Sequence, residues 1–163
     1  MKLTIHRGAA EIGGSCVGIA TDRTRIIVNV GLPLDSSRAH ELPRVPGLFG
    51  PGSAIDAIFL SHSHPDHCGL LDKTSATIPI YLTKGCSKML MVSSLYAGQA
   101  NLSGDRQYPM KAGVPVTLGD ITVTAFDVDH AVFGSCAFLI EAAGKRVLYS
   151  GDLRLHGRKP GMA

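Results

Sequence analysis

The segment Ser61-His62-Ser63-His64-Pro65-Asp66-His67 decides the fold and chemistry expected of this chain. It follows the apolar run Ala57–Leu60, which predicts a strand covered on both faces. His62 and His64 are two residues apart, so their side chains point the same way in an extended backbone. The proline that follows favours this extended conformation, and the chain then turns and presents an aspartate and a third histidine. Imidazoles and a carboxylate at this spacing indicate a metal site rather than histidines of a surface loop.

Two further predicted strands end in residues of the same chemical kind. Ile121–Val128 runs into Asp129-His130, and Arg146–Ser150 runs into Gly151-Asp152. Taken alone, His130 would be read as a structural histidine, and Asp152 could instead cap a helix. Because the ends of neighbouring strands in α/β sheets converge on one site, we expect both side chains to join the histidine-rich segment as metal ligands.

The rest of the chain alternates short apolar runs with glycine and proline turns, a pattern that predicts an α/β domain rich in strands with helices on its faces. One helix is predicted at Ser87–Ala100, with a methionine and leucine stripe packed into the core. The other predicted strands are Lys2–Arg7, Cys16–Ala20, Arg25–Val30, Ile55–Ser61, Ile78–Tyr81 and Ala137–Glu141.

Composition excludes several classes of protein. The 163 residues correspond to one domain or a piece of one, and 16 basic against 13 acidic residues give a net charge of +3, too small to argue for nucleic-acid binding. No apolar run is long enough for a transmembrane helix, and the start does not read as a signal peptide. The four cysteines lack paired spacing, which predicts reduced thiols and a cytoplasmic protein. The lack of a long apolar run predicts no membrane partner.

The order HxHxDH, then His130, then Asp152 resembles the ligand order of the metallo-β-lactamase fold. Within that superfamily, the chain is similar to ribonuclease J-like and β-CASP-type RNA-processing hydrolases, through Glu11–Cys16, Gly134–Ala137 and Tyr149–Lys159. The resemblance covers essentially the whole chain and implies an αββα sandwich of two mixed sheets. It also implies that residues 1–163 are the N-terminal half of that domain or slightly more, with the C-terminal half absent.

The resemblance further implies two divalent metal ions, zinc first, with manganese or iron as alternatives. Asp66 would also act in catalysis, by orienting the attacking water or taking its proton. The first metal would be held by His62, His64 and His130, the second by Asp66 and His67, and Asp152 would bridge the two.

Two features depart from the family pattern. The family has an aspartate where this chain has Asn29, and that aspartate steadies metal ligands, so its loss predicts a weakened site. The family's second half contributes one more ligand histidine, and His156 is too close to Asp152 to replace it. Half of a sandwich would also expose an apolar face, which a second copy of the chain could cover in a homodimer.

The expected activity is metal-dependent hydrolysis, with an RNA phosphodiester as the substrate that the resemblance implies. The basic residues Arg154, Arg158 and Lys159 are candidate contacts to RNA phosphates. One alternative is hydrolysis of a small ester, thioester or lactam by the same centre. Another is a half-domain that binds metal and self-associates without turnover.

Overall fold

Two stacked β-sheets organise the protein, and the computed structural model describes residues 1–35, 41–50, 54–97 and 102–157. The first sheet has six strands in the order β1-β2-β3-β4-β5-β6; β1 to β3 are antiparallel, and β3 to β6 run parallel. The second sheet is antiparallel, in the order β10-β9-β8-β7. The strands are β1 Lys2–Arg7, β2 Cys16–Ala20, β3 Arg25–Val28, β4 Ala57–Leu60, β5 Ile80–Thr83, β6 Gln107–Met110, β7 Pro115–Leu118, β8 Ile121–Asp127, β9 Cys136–Ala142 and β10 Lys145–Tyr149.

The central strand β4 is buried on both faces, as its continuous apolar sequence predicts. Ile58 and Leu60 belong to the core cluster on the helical side of the first sheet, whereas Ala57 and Phe59 belong to the cluster between the two sheets. Alternate side chains of β4 therefore pack into two different cores, which holds the strand on both faces. The metal-binding segment begins directly after this rigid strand.

The core between the sheets is centred on aromatic packing. Phe59 of the first sheet meets Phe138 of the second edge to face, with ring centroids 5.8 Å apart, and stacks on Tyr81 at 5.0 Å. Both phenylalanines are fully buried, and burying such a side chain contributes about 1.5–3 kcal/mol. This packing holds β4 and β9 at a set separation, and so positions the loops at their ends.

Two α-helices are described: α1 spans Pro65–Cys68 and α2 spans Lys84–Tyr96. Thr83 starts α2, because its side chain accepts a hydrogen bond from the Cys86 backbone N–H. Within the described part of the chain, no helix is both long and apolar enough to cross a membrane. Short 3₁₀ helices lie at Leu71–Lys73 and Gly104–Arg106.

The prediction that the apolar stripe of α2 is core packing holds for Leu90 and is wrong for the rest of the stripe beyond it. Only Gly85, Cys86 and Leu90 are buried, and all three lie in the first half of the helix. The second half of the helix is exposed in the described structure, and it includes Val92, Leu95 and Tyr96. The predicted end of the helix at Ala100 lies outside the described residues.

The sequence also missed β6 and β7, and the bounds of the other strands shift by at most two residues at either end. Each missed strand contains a proline, Pro109 or Pro115, and lies at the edge of its sheet. Proline cannot donate to a strand ladder, so it is confined to such edges and masks their strand character in the sequence.

All four cysteines carry free, buried thiols, as their spacing predicts. Burial raises the pKa of Cys16, Cys68 and Cys136 to about 12, which keeps these thiols protonated and unreactive.

Candidate metal centre

The segment after β4 forms a tight, anchored loop. His64 is extended, with φ −68° and ψ 144°, and Pro65 occupies the first turn of α1, so the predicted conformation of His64 is confirmed. The backbone of Val30 donates to the His67 carbonyl at 2.9 Å and fastens α1 to the end of β3. Gly31 lies so close to α1 that a Cβ there would overlap the Asp66 carbonyl oxygen. Only glycine permits this approach.

The loop after β8 and the loop after β10 bring the distant residues to the same place. His130 Nε2 lies 3.2 Å from His64 Nδ1. The His62 ring centroid is 4.9 Å from that of His64 and 4.8 Å from that of His130. Asp152 Oδ2 lies 3.9 Å from His62 Nε2 and 3.7 Å from His130 Nε2. These four side chains place one ligand atom each within 4.8 Å of one another, as one metal ion requires.

A second group adjoins the first. His67 Nε2 lies 3.4 Å from Asp66 Oδ2 and 3.3 Å from Asp152 Oδ1. Asp152 thus offers one oxygen to each group, and these three side chains also place their ligand atoms within 4.8 Å. The structure therefore brings together all six residues that the sequence singles out as ligands, and it divides them into two groups that share Asp152.

Burial keeps the histidines in the neutral form that binds metals. His62 is 1% exposed, and burial together with the neighbouring imidazoles lowers its pKa to about 2. Burial also lowers the pKa of His67 and of His130. These imidazoles remain unprotonated near neutral pH, so their ring nitrogens have lone pairs available.

The residues fit a divalent metal. His62 Nε2 is buried and has no hydrogen-bond partner among the described residues, although such atoms are normally satisfied. Its other ring nitrogen contacts Ser61 Oγ at 3.1 Å, which leaves Nε2 facing the two groups. An orphaned imidazole nitrogen, beside two further histidines and a carboxylate, is the donor set that Zn²⁺ takes in catalytic sites.

Other residues support the centre, and sequence reasoning did not identify them in this role. Asp129 is buried and accepts hydrogen bonds from the Arg154 guanidinium, at 3.2 Å to Nη2, while its backbone carbonyl accepts from the Arg154 N–H at 3.0 Å. This pair ties the loop of His130 to the loop of Asp152. The only sequence signal was the position of Asp129 next to a predicted ligand.

Asn29 is fully buried at the end of β3, with φ 60°, and contacts the metal loop directly. Its side chain lies 2.8 Å from His67 Nδ1 and 2.8 Å from the Tyr149 hydroxyl. Asn29 therefore contacts a predicted ligand, His67, and its supporting role stays a prediction. Arg154, a candidate RNA contact, is engaged with Asp129, and the other two candidates, Arg158 and Lys159, lie outside the described residues.

Comparison with known proteins places this geometry in a family. A family model for the beta-lactamase superfamily domain matches residues 24–159. An RNase J-like protein of Methanocaldococcus jannaschii is 27% identical over 161 residues, which cover 93% of this chain and 36% of the relative. Cleavage and polyadenylation specificity factor 73 of Drosophila melanogaster is 28% identical, covering 87% of this chain and 23% of the relative. The chain thus spans about a third or less of these relatives.

Solved structures agree on the fold. A metallo-beta-lactamase of Cronobacter sakazakii superposes with a TM-score of 0.67 at 19% identity, covering 92% of this chain and 63% of that one. The predicted fold class is therefore confirmed. From its family match, its two stacked sheets and its paired histidine and aspartate groups, the chain belongs to the beta-lactamase superfamily, with the metallo-β-lactamase fold.

Proposed function

We propose that this chain carries the metal centre of a hydrolase that cleaves RNA phosphodiester bonds. The observation that carries the proposal is the pair of ligand groups, three histidines on one side and Asp66 with His67 on the other, joined by Asp152. Two ions of zinc, or of manganese or iron, would fit this arrangement of imidazoles and carboxylates.

The residues of the chain have distinct parts in the proposed reaction. When bound, a pair of divalent ions supplies Lewis-acid polarisation of the scissile group and lowers the pKa of a water molecule. Asp152 would hold the two groups side by side, because its Oδ2 faces the first group and its Oδ1 faces the second. Asp66, whose Oδ2 lies 3.4 Å from His67 Nε2, would accept the proton of the attacking water.

The proposed substrate rests on the relatives rather than on a residue of the site. An RNase J-like protein is among the curated relatives, at 27% identity. Arg154 lies beside the centre and is 40% exposed, so part of its guanidinium is available to a phosphate. Arg158 and Lys159 extend the proposed basic contact. A cytoplasmic location, which reduced cysteines favour, belongs to the same proposal.

The test compares two substrates and uses one variant of the site and one control variant. We expect the zinc- or manganese-loaded protein to cleave a labelled single-stranded RNA and to leave a chromogenic ester intact. His64→Ala should abolish cleavage, whereas Lys88→Ala, on the exposed side of α2, should retain it. Ester hydrolysis without RNA cleavage would move the assignment to small substrates, and cleavage that persists in His64→Ala would reject the site.

A second candidate function is a non-catalytic metal-binding half-domain that self-associates. Phe126 and Leu148 are exposed on the second sheet, at 45% and 69%. Leu148 pairs with Leu139, and Phe126 with Ala137, so these side chains share its outer face. Gel filtration with light scattering separates the candidates: a dimer that Leu148→Glu dissociates, with no turnover of either substrate, would favour the second.

A further inference from the structure

The cavity around residue 29 presents groups that can donate hydrogen bonds to both sides of the asparagine amide. Four groups surround the side chain: the Ser61 backbone N–H, the Ser61 hydroxyl, the Tyr149 hydroxyl and His67 Nδ1. Each of these groups can donate a hydrogen bond, and the first can do nothing else. A carboxylate, which only accepts, would satisfy all four. An amide has one accepting atom and one donating atom, so every group that faces its donating Nδ2 has to accept.

The Ser61 backbone decides the orientation of the amide. Its N–H donates to Asn29 Oδ1 at 3.0 Å. Reversing the amide would place the Nδ2 hydrogens against this buried N–H, two donors facing each other. Nδ2 therefore points the other way, toward His67 Nδ1 at 2.8 Å, the Tyr149 hydroxyl at 2.8 Å and the Ser61 hydroxyl at 3.0 Å.

The orientation of the Asn29 amide determines which ring nitrogen of neutral His67 carries the proton. Nδ1 faces a donor and must accept, so in the neutral imidazole the proton is on Nε2. Nε2 is the atom that faces the second ligand group, 3.4 Å from Asp66 Oδ2 and 3.3 Å from Asp152 Oδ1. There the proton is hydrogen-bonded to carboxylates and occupies the lone-pair position that a metal ion needs.

We infer that Asn29 is a positioning residue that holds His67 in the Nε2–H form and so makes the second metal group much weaker than the first. The inference rests on the proposed function in that it assigns the metal groups the same ligands. The first group has no such fixed donor, because Nδ1 of His62 faces Ser61 Oγ, which can accept as well as donate, and Nε2 of His62 has no hydrogen-bond partner among the described residues. The chain would therefore fill its two groups unequally, one ion tightly and one weakly.

The variant Asn29→Asp tests this directly. Aspartate has nearly the same shape and also tolerates the positive φ of residue 29, so the fold should be retained. Supporting contacts of this kind change metal affinity by about 10- to 100-fold. We expect zinc titration to show the second equivalent binding about 10- to 100-fold more tightly in Asn29→Asp, with the first equivalent changed far less.

A second readout needs no metal. Long-range ¹H–¹⁵N correlation spectra of the metal-free protein report which ring nitrogen of His67 carries the proton. We expect Nε2–H in the native chain and Nδ1–H in Asn29→Asp. Tyr149→Phe is the matched control: it removes one neighbour of Nδ2 but leaves the Ser61 N–H in place, so the native form of His67 should persist.

The outcomes separate this inference from the proposed function. Nδ1–H in the native chain, or equal affinity for the second zinc in both proteins, would overturn the inference and leave the hydrolase proposal standing. If neither protein binds zinc, the inference and the metal-hydrolase proposal both fail. Two zinc ions bound with the expected inequality, but no cleavage of RNA by the native chain or by Asn29→Asp, would support the inference and overturn the hydrolase proposal.

Discussion

The shared carboxylate should control the second metal group more than the first. Asp152 contributes to both groups, but Asp152→Ala leaves three histidines in the first and only Asp66 and His67 in the second. Three imidazoles alone form a zinc site in known enzymes, whereas two protein ligands rarely suffice. In excess zinc, we therefore expect the variant to bind one equivalent per chain where the native protein binds two.

The size of the effect follows from linkage. A ligand at 100 times its dissociation constant stabilises the folded state by about 2.7 kcal/mol, and at the dissociation constant itself by about 0.4 kcal/mol. For a chain of this length, 1 kcal/mol shifts Tm by about 2–4 °C. The second ion should thus add about 5–11 °C to the native Tm, and a 100-fold loss of affinity in Asp152→Ala should reduce that gain to below about 2 °C.

The measurement pairs equilibrium dialysis against zinc, followed by elemental analysis, with thermal melts at matched zinc concentrations. Without metal, Asp152→Ala should change stability by less than about 0.5 kcal/mol, because the side chain is 45% exposed. Glu141→Ala, which removes a carboxylate from a surface pair with Arg146, should leave both stoichiometry and the zinc-dependent shift unchanged. Retention of two equivalents in Asp152→Ala, with the full shift in Tm, would refute the shared-carboxylate geometry.

Three further outcomes follow from burial, packing and pairing. The pKa of His62 is about 2 in the folded protein and about 6.5 in the unfolded chain. Below pH 6.5 the unfolded chain takes up a proton that the folded protein does not, so the free energy of unfolding falls as the pH falls, whereas above pH 6.5 His62 causes no loss. The metal-free protein should lose about 1.4 kcal/mol per pH unit on this account below pH 6.5, measured by urea unfolding, and a flat profile from pH 7 to 5 would contradict it. Gly31→Ala should destabilise the protein by about 1–3 kcal/mol and reduce zinc binding, because its Cβ would overlap α1. Gly104→Ala should do neither, because a Cβ at residue 104 would meet open space. Equal effects of the two variants would reject the close-approach argument. Arg154→Ala should weaken zinc binding about 10-fold by loosening the loops of the centre, while the exposed Arg146→Ala should not, as isothermal titration with zinc would show.

Local patterns were sufficient where the chemistry lies close together in the chain. The segment His62–His67 identifies its ligands by spacing, and the apolar run of β4 identifies the buried strand that supports it. His130 and Asp152 could be predicted because each follows an apolar strand and is of ligand type. These inferences need only the period of a strand and the tendency of strand ends to converge.

Local patterns failed where edges and uncovered faces were involved. The strands β6 and β7 were missed because their prolines weaken the strand signal, which an edge position tolerates. The apolar stripe of α2 was assigned to the core because periodicity shows that a face is apolar without showing that anything covers it.

The sequence by itself determined which side chains could bind metal and that a buried strand presents them, because spacing and hydrophobic period are local properties of the chain. Only the tertiary structure decided that Arg154 ties the loops of the centre together, and that Tyr149 and His67 meet at Asn29. Asn29 and Tyr149 are 120 positions apart in the chain. Their contact depends on how two sheets stack, and long-range packing of this kind leaves no periodic trace in the sequence.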